Sequence, residues 1–124
     1  MSFTPQQEKA IQTLDKNLIV VAGAGSGKTR VLVERFLYLL QVDETLPLNA
    51  LVAITFTREA ALEMRNRVRK SLEENVQNFP QQVRWSNLLA EMDSARIDTI
   101  HGLCATILRA NAPEAGIDPR FEVL

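Results

Sequence analysis

The sequence predicts an α/β fold, an incomplete parallel sheet of about three strands with helices on both faces. Residues 18–21 and 50–55 are short apolar runs typical of buried strands, and residues 95–98 are a candidate third strand. Segments with helical periodicity follow each of them, and this alternation favours parallel strands joined by crossover helices. Three strands make a narrow sheet, and residues 121–124 are again apolar. We therefore expect a piece of a larger domain.

The composition is ordinary for a soluble globular protein. The 124 residues are 46% hydrophobic and 23% charged, with a net charge of -1, so binding of nucleic acid would need a local basic patch. The single cysteine, Cys104, excludes an internal disulfide and fits a reducing compartment. No apolar run approaches the roughly 20 residues that span a bilayer, and the N-terminus lacks a signal peptide. We expect a cytoplasmic protein with no membrane partner.

Five helices are predicted. The first begins at Pro5, because Thr4 is suited to cap it and Gln7, three residues after the cap, completes a capping box. The next three are predicted over residues 28–41, 58–74 and 81–92, and the second of these carries Ala61, Met64, Val68 and Leu72 on one face. The last carries an apolar stripe that we expect to pack in the core, formed by Ile100, Leu103, Cys104, Ile107 and Leu108.

The strongest motif is AGAGSGKT, residues 22–29, which has the phosphate-loop pattern G-x-x-x-x-G-K-S/T with alanine at the first position. Its members are Ala22, Gly23, Ala24, Gly25, Ser26, Gly27, Lys28 and Thr29. Glycines let backbone amides approach phosphate oxygens, Lys28 can reach the β- and γ-phosphates, and the Thr29 hydroxyl can ligate Mg²⁺. The motif predicts ATP and Mg²⁺ as cofactors, with Lys28 and Thr29 as catalytic residues.

Hydrolysis also needs an acidic residue for the metal, normally at the end of a later strand. Two segments imitate that pattern, YLLQVDE (residues 38–44) and LLAEMD (residues 88–93). Both fall within predicted helices, so we interpret Asp43 and Glu44 as solvated residues at a helix end. The sequence therefore predicts a nucleotide site without the second half of a catalytic site.

Three further segments accompany the loop: FTPQQEKAI (residues 3–11), AITFTREAALEMRNRV (53–68) and IDTIHGLCATILR (97–109). In this order, the four motifs resemble the opening motifs of superfamily 1 DNA helicases of the UvrD/Rep/RecB type. Residues 98–109 and 115–124 resemble the AddA/RecB helicase–nuclease branch in particular. The resemblance implies a RecA-like P-loop NTPase fold, with residues 1–124 as the N-terminal part of the first motor domain, ending before the acidic Asp-Glu motif.

The resemblance also implies roles around the nucleotide. Gln7 matches the glutamine that hydrogen-bonds the adenine edge, whereas the capping box is the alternative use of the same amide. Residues 25–29 match the groups that take the phosphates and the metal. Arg30 matches an arginine beside the base and ribose, and the alternative for it is a surface helix residue.

A second set of matched residues implies contact with DNA. Thr55, Phe56 and Thr57 match the motif that touches single-stranded DNA, where an aromatic ring can stack on a base; core packing is the alternative for Phe56. Arg58 stands where many relatives have asparagine, and we expect it to attract phosphate. The basic run Arg65, Arg67, Arg69 and Lys70 is interpreted either as DNA-facing or as a solvated helix face.

Thr99 and His101 match a motif that contacts DNA phosphates, and His101 lies outside the apolar stripe of its helix.

The resemblance implies single- and double-stranded DNA as partners, together with a nuclease or second helicase subunit. The implied activity is that of an ATP-dependent helicase translocating on single-stranded DNA in repair or recombination. The implied enzymes also carry arginine fingers and a second motor domain, so we expect this piece alone not to unwind DNA.

Two alternatives come from other functional classes. A small-molecule P-loop kinase would share the phosphate loop, although the chain offers no obvious lid carrying arginines. A non-catalytic nucleotide- or protein-binding module would keep the loop only as a structural element. Phosphotransfer to nucleosides would support the former, and hydrolysis or translocation by a longer chain would argue against the latter.

Overall fold

The computed structural model describes residues 3–14, 27–116, 118 and 120. In chain order they form α1 (Pro5–Gln12), α2 (Lys28–Val42), β1 (Val52–Thr55), α3 (Arg58–Asn78), α4 (Val83–Ala90), β2 (Arg96–Thr99), α5 (Ile100–Ala110) and α6 (Ala112–Ala115). Two single-turn 3₁₀ helices, Leu48–Ala50 and Met92–Ser94, precede β1 and β2. The predicted strand at residues 18–21 lies outside the described residues.

The described sheet has two parallel strands, as the alternation of elements predicts. Val52 lies opposite Arg96 and Thr55 lies opposite Thr99, so both carboxyl ends lie at the same edge. One face of β1 is half open, since Val52 and Ile54 are 48% and 47% exposed. In the described part of the chain the expected cover is therefore incomplete on this face of β1, and the intervening residues lie on the more buried side.

The main core lies where α2, α3, α4 and β2 meet. The predicted inner stripe of α3 is confirmed, because Met64, Val68 and Leu72 recur every four residues and are buried. Leu40 from α2 and Leu88 from α4 fill the space beside them and are also fully buried. This packing supports the sheet from one side.

Two helices have boundaries that differ from the predicted ones. The α3 helix extends past the predicted end at residue 74 to Asn78, because Val76 packs against the core and sustains another turn. It stops just before Pro80, which cannot continue a helix. The α4 helix is shorter than predicted and ends at Ala90, where the chain enters a 3₁₀ turn.

The apolar stripe of α5 is the clearest difference from the sequence analysis. Four of its five members are exposed: Ile100, Cys104, Ile107 and Leu108. The buried residue of this helix is instead Ala105. The prediction that Cys104 packs in the core is wrong, because no described element covers this side of α5 and the Cys104 side chain is exposed. Periodicity shows which face of a helix is apolar but not whether a neighbour covers it.

Candidate functional site

The start of α1 is fixed by the predicted capping box. The Gln7 N–H donates to Thr4 Oγ1 at 3.2 Å, and the Thr4 N–H donates to Gln7 Oε1 at 2.9 Å. Pro5 occupies the first helical position, where a missing amide hydrogen costs nothing. Of the two uses considered for the Gln7 amide, capping is therefore realised through its oxygen.

The same glutamine lies beside the beginning of α2. Gly27 caps that helix with a φ of 83°, a left-handed conformation that favours glycine. A Cβ built on Gly27 would lie 3.5 Å from Gln7 Nε2. The structure thus brings the side chain matched to base recognition against the last glycine of the phosphate-loop motif.

The first turn of α2 presents polar groups around Gly27. Lys28 is exposed, whereas Thr29 and Arg30 are half-buried. Gly27 has no side chain to cap the helix, and the first helical bond runs from the Val31 N–H to the Gly27 carbonyl at 3.0 Å. A helix N-terminus of this kind favours an anion.

The preceding part of the motif lies outside the described residues, so the roles given to it stay predictions. Its members are Ala22, Gly23, Ala24, Gly25 and Ser26.

Arg30 is held by an aromatic ring that the sequence analysis did not single out. Its Cζ lies 3.8 Å from the centroid of the Phe3 ring, a cation–π contact. Phe3 in turn packs against the small cluster of Ala10, Ile11 and Val31 between α1 and α2. The segment that carries Gln7 therefore also positions Arg30, the residue matched to an arginine beside the base and ribose.

Arg35 is a further residue that the sequence analysis missed. Its Nη1 donates to the carbonyls of Ala10 and Thr13, both at 2.7 Å, and so joins α2 to the C-terminal end of α1. The sequence gives little indication of this contact, because an arginine within a helix does not show which distant carbonyl it binds. Only the pairing of two helices reveals its contacts.

A second group of matched residues lies at the carboxyl ends of β1 and β2. We call residues 55–58 and 99–101 the strand-end edge. Thr57 Oγ1 accepts the Ala60 N–H at 3.1 Å and caps α3, while Thr99 Oγ1 accepts the Gly102 N–H at 3.1 Å and caps α5. Because Thr55 lies opposite Thr99, the two helices begin side by side, and both point the positive ends of their dipoles toward this edge.

The strand-end edge differs sharply in exposure from one residue to the next. Phe56 is 94% exposed, so the alternative that it packs in the core is wrong. Arg58 and His101 are exposed as well, which agrees with the placement of His101 outside the core. Thr99 is only 8% exposed and its hydroxyl is used as a cap, so its side chain shapes the edge rather than facing solvent.

Asp98 is a residue of this edge that the sequence analysis did not assign. Its Oδ1 accepts the Thr99 N–H at 2.7 Å, and its carboxylate fills the space that a Cβ on Gly102 would need. A carboxylate at the beginning of α5 offsets the positive helix end. The local signal was an aspartate directly before the threonine cap, with glycine three residues after the cap.

The basic run on α3 does not form one cationic face. Arg65 donates to the carbonyls of Met92, Ala95 and Ile97 at 3.2, 3.0 and 3.2 Å, which ties α3 to β2. Arg67 pairs with Glu63 on its own helix at 2.7 Å.

The other two members of the run, Arg69 and Lys70, are exposed. The run therefore combines a structural arginine, an intrahelical ion pair and two solvated cations.

Asp43 and Glu44 lie at the end of α2 and are exposed, as predicted. The Thr45 hydroxyl donates to Asp43 Oδ1 at 2.6 Å and the Thr45 N–H donates to the same oxygen at 3.0 Å. The side-chain bond, then the backbone bond, lowers the pKa of Asp43 from 3.8, with a smaller contribution from Arg84. This carboxylate therefore holds the turn that follows α2.

No three histidine, cysteine, aspartate or glutamate side chains gather into a metal-binding cluster within residues 3–14 and 27–116. In the same part of the chain, no helix has the length and apolar character needed to cross a membrane.

Comparison with known proteins agrees with the resemblance. Residues 3–124 match the family described as UvrD/REP helicase N-terminal domain. An ATP-dependent helicase/nuclease subunit of Listeria innocua is 42% identical over 123 residues, covering 98% of this chain and 10% of that protein. Its counterparts in Oceanobacillus iheyensis and Thermoanaerobacter sp. are 40% and 39% identical, over 99% and 98% of this chain and 10% of each relative. The chain spans about a tenth of these curated relatives, and it belongs to the UvrD/REP helicase N-terminal domain family.

Proposed function

We propose that this chain is the ATP-binding, N-terminal part of the first motor domain of an ATP-dependent DNA helicase that translocates on single-stranded DNA in repair or recombination. The fold would be that of a RecA-like P-loop NTPase, and the acidic Asp-Glu motif would follow this segment in the whole enzyme. The observation that carries the proposal is the placement of Gln7 against Gly27 at the start of α2. The names of the relatives support it.

The first turn of α2 fits a nucleoside triphosphate. Gly27 leaves the helix end without a side-chain cap, and Lys28 brings a cation to the same point. The Thr29 hydroxyl is a single neutral oxygen ligand, which suits a Mg²⁺ ion that arrives with phosphates and keeps several waters. Thr29 would hold that ion, and Mg²⁺ would neutralise charge on the phosphate oxygens.

The strand-end edge fits single-stranded DNA. The exposed Phe56 ring can stack on a base of any identity. Arg58 and His101 belong to the same edge, are exposed, and would contact the DNA phosphates. Duplex DNA would be the substrate of the whole enzyme, and a nuclease or second helicase subunit its partner, in keeping with the names of the relatives. A small-molecule kinase would have no use for an exposed aromatic ring at this edge.

ATP binding is tested by calorimetric titration of the chain with ATP-Mg²⁺. We expect Lys28→Ala to weaken binding at least about tenfold, since a charge-assisted bond to phosphate contributes about 1.5–3 kcal/mol. Lys70→Ala, which removes an exposed lysine from α3, is the matched control and should bind as the parent does. Equal ATP affinity in the parent chain and both variants would contradict the proposed nucleotide site.

DNA binding is tested by fluorescence anisotropy with a labelled oligothymidine. Phe56→Ala should lower affinity by about 5- to 150-fold, the range that corresponds to about 1–3 kcal/mol per stacked base. Phe79→Ala removes another exposed aromatic ring, at the end of α3, and should have little effect. An equal loss in both variants would show that the strand-end edge is not the DNA site.

A further inference from the structure

Arg35 links α1 to α2 through two hydrogen bonds from one side-chain nitrogen. One nitrogen, Nη1, donates to the Ala10 and Thr13 carbonyls at 2.7 Å each, across 25 and 22 residues of sequence. Ala10 lies in the last turn of α1 and Thr13 is its C-cap residue, so both carbonyls belong to a helix end where helical partners are lacking and a positive charge is favoured. The guanidinium therefore supplies hydrogen-bond donors to carbonyls at the end of a neighbouring helix and holds that helix end in place.

The α1 helix depends on such docking. It has eight residues, and a helix of that length is not stable alone in water. Its buried apolar residues are only Ala10 and Ile11, which meet Val31 in a small cluster with Phe3 and Tyr38 beside it. Because this cluster is small, directional contacts should add to the docking of the helix, and the Arg35 bonds are directional.

The position of α1 decides where Gln7 lies. Gln7 is one turn before Ala10 on the same helix, and its Nε2 is near the left-handed Gly27. We propose that Arg35 is a positioning residue for recognition of the nucleotide base: by holding the end of α1 it keeps Gln7 against Gly27 at the start of α2. This inference rests on the proposed function, in which the base is bound at Gln7.

The role predicts a specific defect. Loss of the Arg35 bonds should impair recognition of the base while leaving the phosphate contacts of Lys28 and Thr29 intact. ATP carries both parts, whereas inorganic tripolyphosphate carries only the phosphates. The ratio of the two affinities therefore separates a positioning role from a general loss of folding, which would weaken both ligands alike.

The experiment measures binding of ATP-Mg²⁺ and of tripolyphosphate-Mg²⁺ to the whole chain by calorimetry. The variants are Arg35→Met, Arg35→Lys, Gln7→Ala and the double variant, with Arg67→Met as the control for loss of a surface arginine. We expect Arg35→Met and Gln7→Ala each to lower ATP affinity about tenfold, the size of one hydrogen bond, with tripolyphosphate affinity unchanged. The double variant should lose no more than either single one.

Arg35→Lys keeps the charge and the donors on a shorter side chain, so it should recover part of the ATP affinity; if Arg35→Met fails to fold, the ratio in Arg35→Lys decides. Hydrogen exchange of residues 5–14 without nucleotide should rise in Arg35→Met and not in Arg67→Met. Equal loss of both ligands, or unchanged ATP affinity, would overturn the positioning role. Absence of binding by the parent chain would overturn the proposed function and this inference together.

Discussion

Gly102→Ala tests the geometry at the beginning of α5. Gly102 is the third residue of that helix, and a Cβ placed on it would overlap the Asp98 carboxylate, with the carboxyl carbon only 2.5 Å away. Asp98 is meanwhile bound to the Thr99 N–H at 2.7 Å. An alanine can therefore be accommodated only if the Asp98 side chain swings away and gives up that bond.

The size of the effect follows from three contributions. The charge-assisted bond from the Thr99 N–H contributes about 1.5–3 kcal/mol, and the carboxylate at the helix N-terminus adds about 0.3–1 kcal/mol. Replacing glycine by alanine in a helix returns up to about 1 kcal/mol. We therefore expect Gly102→Ala to lower the free energy of unfolding by about 1–3 kcal/mol.

The decisive comparison is the same substitution in an Asp98→Ala background. There the carboxylate is gone, so Gly102→Ala should become neutral or stabilising by up to about 1 kcal/mol. Urea denaturation followed by circular dichroism measures all four proteins, and the change in sign is the expected result. If Gly102→Ala destabilised both backgrounds equally, the contact with Asp98 would not be the cause and the account of this edge would be wrong.

Two other predictions concern stability and titration. Arg65→Met should lower the free energy of unfolding by about 2–3 kcal/mol, because three carbonyls lose a charged donor, while Arg67→Met should change it by less than about 0.5 kcal/mol because its ion pair is exposed. Equal urea midpoints for the two variants would contradict this. The pKa of Asp43 is held below 3.8 by Thr45, so its contribution to stability is present above that pH and is lost as the pH falls through the lowered value. In an NMR titration Thr45→Val should move the Asp43 midpoint upward, and an unchanged midpoint would contradict the assignment.

The elements that could be predicted from the sequence are those whose determinants are local. The capping box at Thr4 and Gln7 needs four consecutive residues, and the inner stripe of α3 needs only its own periodicity. Each of these predictions is confirmed because no distant partner is required.

The contacts that escaped prediction are arginines that bond carbonyls of distant elements. Arg35 reaches back 22 and 25 residues to α1, Arg65 reaches forward 27 to 32 residues, and Arg84 reaches back 38 to 44 residues to the end of α2. In sequence each looks like an ordinary surface charge. A carbonyl at a helix or strand end carries no residue-specific signal, so these pairs become visible only after the elements are packed.

The two candidate sites differ in what the helix caps leave for a ligand. At the strand-end edge, Thr57 and Thr99 each accept one amide hydrogen from the helix they begin, so their hydroxyls satisfy donors that an anion would otherwise meet. At α2 the cap is Gly27, which has no side-chain oxygen to do this. Under the proposed function, a nucleotide phosphate would therefore bind at the glycine-capped helix, whereas DNA at the strand-end edge would be bound mainly by side chains such as Phe56 and Arg58.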